Sequence, residues 1–548
     1  MSAPADEVWD VVVVGAGASG CALAARLAED PWRRVLVLEA GPVPASAGEF
    51  PTDALDAATI AGAAPGHPLN WAYPATLYEG RPYSLARGRV AGGSTTVNGG
   101  YFVRPRRVDL DGWAELGGTG WSWEACLPAL RRLEADAQYG TDALHGSSGP
   151  MPVTRAPIGP DGDGGTATAS AFVRAARAAG LRFEADKNGD QPNGIGPLPM
   201  NLRDGVRWNA ALAYLLPPVG RAAGRPNLEL RGEATVRRVV LQPGGPGASA
   251  SMPRDRLPST PRVVGVEVAS GGTVSMVHAR EVVLAAGALA TPLLLLRSGI
   301  GPRDELDAAG VACAVDSPRV GRGLSDHPQV PVTWVDRSLP PEHRVPSLEI
   351  VLNTAVGDAG DEVEVLPLTR PMDELLTSAE SATPQGALDA PGSARRLTAL
   401  VALQTSRARG SIRLVAGTDG PEPRIDLGYL DDRLDRTALR AGVRLAVGLL
   451  HSPAFDDATG VQPEPAVVGD DDSLDAWLLD HLGTALHSCG TAAFGGPSAV
   501  TDGFGRVNGV RGLRIADLSI VPTAPRRGPA LTAVLVGERV SDFLRSGH

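Results

Sequence analysis

"DVVVVGAGASG", residues 10–20, is a continuous apolar strand that runs into Gly-x-Gly-x-x-Gly, and "CALAARLAED" follows with the spacing of a helix. Gly15 permits the tight turn. Gly17 lets the backbone approach a pyrophosphate at the helix N-terminus, beside Ala18 and Ser19, and Gly20 lets the helix pack on the strand. "RRVLVLEAG" then supplies a second strand ending in Glu39 and Ala40, about 20 residues after the glycine loop, where a carboxylate accepts hydrogen bonds from a ribose. A glycine triplet alone is a common turn. The strand before it, the helix after it and the acid closing the next strand together predict dinucleotide binding. Glu39 followed by "AGP", near the start of so long a chain, suits FAD held as a resident cofactor better than NAD.

At 548 residues the chain exceeds what one hydrophobic core normally supports, so two domains, or one domain with a large insertion, are expected. The net charge of −11 argues against nucleic acid as a partner, since phosphate binding needs a basic face. Cys21, Cys126, Cys313 and Cys489 lack paired spacing, so neither a disulfide framework nor a zinc site is predicted, and a cytoplasmic setting fits. The N-terminus is acidic and has no signal-peptide pattern, and no window is apolar enough to span a bilayer, which leaves peripheral membrane contact at most. Lys187 is the only lysine; with the Ala and Gly richness, this is the coding bias of a GC-rich bacterium such as an actinobacterium.

"ARGRVAGGSTTVNGGYFVRPRRVDLDGW", residues 86–113, holds a loop too glycine-rich and polar for a core element, yet too short of charge for a solvated linker. Such a loop can wrap a ligand. Here the sequence resembles the glucose-methanol-choline (GMC) oxidoreductases, whose first signature has this Gly-Gly-Ser-x-x-x-Asn-Gly run. "EVVLAAGALATPLLLLRSGIGP" (281–302), "VGRGLSDHP" (320–328) and the closing "GLRIADLSIVPTAP" (512–525) with "LTAVLVGERVSDFL" (531–544) also match, so the resemblance runs from about Asp10 to Phe543. It implies that Gly15, Gly17, Gly20 and Glu39 hold the ADP half of FAD. Gly92, Gly93, Ser94, Asn98 and Gly99 would line its pyrophosphate and flavin, with Ala286, Gly287 and Asp517 nearby and Val236 against the adenine. Val97 stands where some relatives attach FAD through a histidine, so non-covalent FAD is implied.

"HSCGTAAFG", from 487, resembles the family's His-x-x-Gly-Thr-x-x-x-Gly, which makes His487 the general base of an alcohol dehydrogenase or oxidase, the sequence leaving the two undecided, that passes a carbinol hydride to flavin N5. A second His or Asn is usual downstream; by counting back from "GER" its position is Ala530, whose methyl cannot hold a substrate oxygen. Arg526 or Arg527 could substitute, although a surface turn is the plainer reading of both. "VNGGYFVR" with "PTAPRRGPA" is similar to the mycofactocin-associated branch, whose alcohol would be a peptide-derived redox cofactor rather than a simple small molecule. Some relatives are flavin-containing lyases, a third possibility. The sequence names no electron acceptor.

The expected architecture is α/β, α+β overall: a Rossmann-like FAD-binding domain from residues 1–155, 195–325 and 485–548, and a discontinuous antiparallel-sheet substrate domain from 156–194 and 326–484. "QVPVTWVD", "SLEIVLNT", "DEVEVLPL" and "LTALVALQ" read as strands of that second sheet, while "RARGSIRL" and "RIDLGYL" resemble strands that re-enter the cofactor domain. Residues 242–261 and 377–395 are low-complexity excursions, read as loops, the second a conceivable lid.

Overall fold

The computed structural model describes residues 8–216, 225–243, 260–336, 346–377, 395–418 and 420–548. Most of both low-complexity excursions lies outside them.

The opening strand, Val8–Val14, lies inside a seven-stranded sheet, between the parallel strands Val35–Leu38 and Thr273–Leu284. Leu228–Arg231 extends one edge in parallel, and Leu513–Ile515 pairs in parallel with the end of Thr273–Leu284. Arg262–Ser270 and Thr235–Gln242 complete the sheet as antiparallel strands. Val11 to Val14 are buried with no polar alternation, because helices cover both faces of a parallel sheet. Ala18–Leu27 is one of those helices, and Ala530–Arg545 packs beside it. Ser19 Oγ donates to the Ala533 carbonyl at 2.6 Å, and a Cβ at Gly537 would stand 2.2 Å from the Ser19 carbonyl. Segments some five hundred positions apart thus share one close backbone contact.

The second large sheet is antiparallel and contains all four segments predicted as its strands: Pro328–Asp336, Ile350–Val356, Asp361–Pro367 and Arg395–Leu403. The helix Arg433–Leu450 covers one face, where a Cβ on Gly442 would meet Val363 and Val401 at 3.1 Å. The other face is turned to the cavity described below.

One expectation is corrected. The strand Ile195–Pro197, assigned to the cofactor domain, pairs with Ile350–Val356 in the antiparallel sheet. Strands Gly410–Gly417 and Gly420–Asp426 join Arg322–Leu324, Tyr73–Thr76 and Pro82–Leu85 in a separate five-stranded sheet, so their partners come from segments expected in the cofactor domain, as the resemblance implied for both strands. A short strand's partner is set by a distant strand's register rather than by its own residues.

Candidate active site

A cavity of about 870 Å³, at the upper end of what ligand sites span, is lined by both large sheets. Its cofactor side is shaped by backbone. Gly15 has φ +102°, and a Cβ there would lie 2.6 Å from the Ala285 carbonyl; Gly93 has φ +54°, and a Cβ would lie 2.8 Å from Gly17 Cα. Such contacts leave no room for a side chain, which is what close backbone approach to a pyrophosphate requires. Gly17, Ala18, Ser19, Ala40, Ser94, Asn98, Gly99, Val236, Ala286, Gly287 and Ala530 line the cavity with them. Gly20 and Gly92 do not: Gly20 seats the helix against the Gly15 carbonyl, and Gly92 donates its N–H to the Ala16 carbonyl at 2.7 Å.

Glu39 faces the cavity with its carboxylate accepting N–H bonds from Ala16 and Gly41, each at 2.9 Å. Burial pushes this carboxyl up to about 7 against those bonds, so hydroxyl donors from a ribose would be welcome there. Asp517 accepts from the Gly287 and Ser519 N–H groups at 2.9 Å and from the Thr291 hydroxyl at 2.5 Å, which fixes the turn that begins the Gly287–Arg297 helix. The cradle, its acid and its glycine contacts fit FAD.

On the opposite side His487 lines the cavity, partly exposed to it. Leu486 before it has φ +64°, a left-handed conformation that costs a branched residue about 1–3 kcal/mol and here aims the next side chain. His487 Nδ1 lies 2.9 Å from Nδ1 of His327, the rings nearly perpendicular at 87°. Asp326 grips both histidines: its Oδ1 accepts the N–H of His327 and of His487, each at 2.7 Å, and its Oδ2 accepts the Ser488 hydroxyl at 2.6 Å. Arg87 donates to Ser488 Oγ at 2.7 Å and closes the set. Burial, with His327 and Arg87 adding to it, holds the His487 imidazole well below its ordinary range, so it is neutral near pH 7.

His487 Nε2 faces Gly528. A Cβ on Gly528 would stand 3.6 Å from that nitrogen and about 3.4 Å from the Tyr101 ring. Gly528 therefore presents no side chain to the imidazole, and Ala530, the position that counting from "GER" gives, lines the same cavity. Neither arginine substitutes for it. Arg527 is buried and donates to Glu184 at 2.7 Å, to Asn193 at 3.0 Å and to the Lys187 carbonyl, while Arg526 pairs with Glu362 at 2.6 Å. The plainer expectation of a surface turn also fails for Arg527, which is 1% exposed.

Sequence reasoning passed over His327, Asp326, Tyr101 and Glu364, although "DHP" stood inside a quoted motif. Tyr101 Oη donates to Glu364 Oε2 at 3.0 Å, and both residues line the cavity. Elsewhere Glu134, Asp136 and His145 cluster with metal-like spacing. Arg104 lies 2.7 Å from Glu134 and Arg155 2.8 Å from Asp136, so that cluster's negative charge is already matched.

A dinucleotide cradle facing a neutral imidazole across one cavity is the arrangement of a flavin-dependent oxidoreductase. Known proteins carry the same combination. Residues 9–329 and 406–537 match the N- and C-terminal models of the GMC oxidoreductase family. An uncharacterized GMC-type oxidoreductase in the thcA 5' region of Rhodococcus erythropolis is 36% identical over 542 residues, 98% of each chain. An oxygen-dependent choline dehydrogenase of Brucella canis is 32% identical over 567 residues, 98% of this chain and 95% of that one. The crystal structure of pyridoxine 4-oxidase from Mesorbium loti superposes with a TM-score of 0.83 at 29% identity, covering 98% of this chain and 100% of that one. The protein belongs to the GMC oxidoreductase family, FAD-dependent enzymes that oxidise CH–OH groups. Among the described residues no helix is long and apolar enough to cross a membrane.

Proposed function

We propose that the protein is a dehydrogenase that oxidises an alcohol to the corresponding carbonyl, with His487 as the base that takes the hydroxyl proton. The observation that carries this reading is the His487–His327 pair: one proton lies between the two Nδ1 atoms, 2.9 Å apart, so each ring's tautomer dictates the other's. With His487 Nδ1 donating to His327 Nδ1, His487 Nε2 keeps a lone pair toward Gly528 and the cavity. Asp326 holds both backbones in register for that bond. FAD, which Val97 in the cavity wall could not anchor covalently because its aliphatic side chain offers no nucleophile, would supply the two-electron acceptor for the carbinol hydride.

Anaerobic mixing of the yellow holoenzyme with alcohols tests the reading: bleaching supports it, whereas unbleached flavin with carbonyl release from a cyanohydrin would replace it with lyase chemistry. A second reading makes the substrate the reduced mycofactocin cofactor, a peptide-derived alcohol. It is favoured by the convergence of its two marker segments, since Tyr101 and Gly528 meet beside His487 Nε2. Bleaching by that reduced cofactor and by no simple alcohol selects it.

A further inference from the structure

The floor of the alcohol side is the open face of the antiparallel sheet, and its register sorts polar from apolar. Gln329 pairs with Ala402, Ala402 with Glu364 and Glu364 with Asn353, which makes one row across four strands. In the next row Pro331 pairs with Leu400 and Leu400 with Leu366. Side chains alternate faces along a strand, so Gln329, Glu364, Leu366 and Leu400 all look into the cavity. His327 immediately precedes the Pro328–Asp336 strand, and Ala485 donates its N–H to the His327 carbonyl at 3.0 Å. The polar row is therefore the one beside the imidazoles, and the leucine row begins about 7 Å farther out. Leu348, Leu368, Met372 and Leu375 continue the apolar wall beyond it.

Charge on this floor is matched. Glu364 Oε2 accepts from Tyr101 Oη at 3.0 Å and from Asn353 Nδ2 at 3.1 Å. Asn353 Oδ1 takes Lys187 Nζ at 3.1 Å, Lys187 pairs with Glu184 at 2.6 Å, and Glu184 with Arg527 at 2.7 Å. Two carboxylates thus stand against two cations, one of them the chain's only lysine, and no surplus negative charge faces the chamber from this network. Of the other aromatic residues lining the cavity, Trp71 already carries Arg89 5.3 Å from its ring and Arg87 and Arg297 act on neighbouring Tyr73, which leaves the single ring of Tyr83 and no multi-ring cage for a cation.

We infer that the chamber selects an uncharged alcohol with an apolar body, aliphatic or aromatic, and rejects quaternary ammonium alcohols. This rests on the site being an alcohol-oxidising centre, and it separates the chain from relatives named for choline. Holoenzyme flavin reduction by straight-chain primary alcohols should show kcat/KM rising about fourfold per methylene until the wall is covered. Benzyl alcohol should exceed choline at least 100-fold. A flat chain-length series, or choline equal to hexanol, overturns the inference. If dithionite bleaches the flavin and no alcohol does, the oxidation reading itself falls. Binding then decides the chamber separately, by calorimetry with 2-phenyl-2-propanol, which has no carbinol hydrogen to lose: tighter binding than choline supports the apolar chamber, and the reverse order sinks it. Met372→Gln, at a half-buried position, should lower kcat/KM for hexanol about tenfold with its melting temperature kept; Leu366→Gln gives a second, deeper probe. Unchanged chain-length dependence in both would overturn the assignment.

Discussion

The two sides of the cavity are built on different terms. Opposite the cofactor the wall is backbone, and glycines admit no substituent because another backbone lies within 3 Å. Opposite the alcohol the wall is made of side-chain sets, Asp326 holding His327 and His487 in one and Tyr101 bonded to Glu364 in another. The first kind of wall fails all at once when altered. The second degrades by steps, since each lost bond in a network is worth about 1 kcal/mol.

Replacing Gly93 or Gly15 with Ala sharpens that contrast most. The new methyl meets backbone at 2.8 or 2.6 Å in a left-handed conformation, so the purified variants should carry almost no flavin by the ratio of visible to protein absorbance. Next, His487→Ala should slow anaerobic flavin reduction by at least about 100-fold while the enzyme stays yellow; an unchanged rate would remove the base. His327→Phe keeps an aromatic ring but frees the His487 tautomer, and should cost about tenfold in the same stopped-flow measurement.

Acid provides a comparable test. Burial holds His327 down at about 3 against an ordinary 6.5, so between those values the unfolded chain binds a proton that the folded chain refuses. The stability this contributes is full above pH 6.5 and falls by about 1.4 kcal/mol per unit below it. Urea midpoints for wild type should therefore drop faster from pH 6.5 to 5 than those for His327→Phe, and parallel curves would break the assignment. His487 is also depressed, so kcat/KM should persist below pH 6.5 and fall only as pH passes through the lowered value. The smallest expected effect is a gain: Gly528→Asn fits at ordinary contact distances and should raise the reduction rate about threefold by donating to the substrate oxygen.

What the sequence made legible follows the same division. Gly15, Gly17 and Gly93 announce themselves because a close backbone approach demands glycine, and Glu39 because an acid closes a buried strand. The four strands of the second sheet were legible from alternation alone. Their neighbours were not, and with them went the row that aligns Glu364 with Gln329 across Ala402. Arg527 looked like a surface residue because the carboxylate that buries it, Glu184, lies 343 positions away. The approach of Gly528 to His487 Nε2 was not legible either, because it depends on the path of the chain and not on a count back from "GER".

The contact between the helices Ala18–Leu27 and Ala530–Arg545 also orders events in time. Pro529, Ala530 and Ala533 are part of the cofactor cavity, and Gly537 is wedged on Ser19 beside the first glycine loop. During synthesis the opening loop emerges some five hundred residues before the helix that seats on it. A nascent chain halted before residue 530 would lack that seat and should retain little flavin.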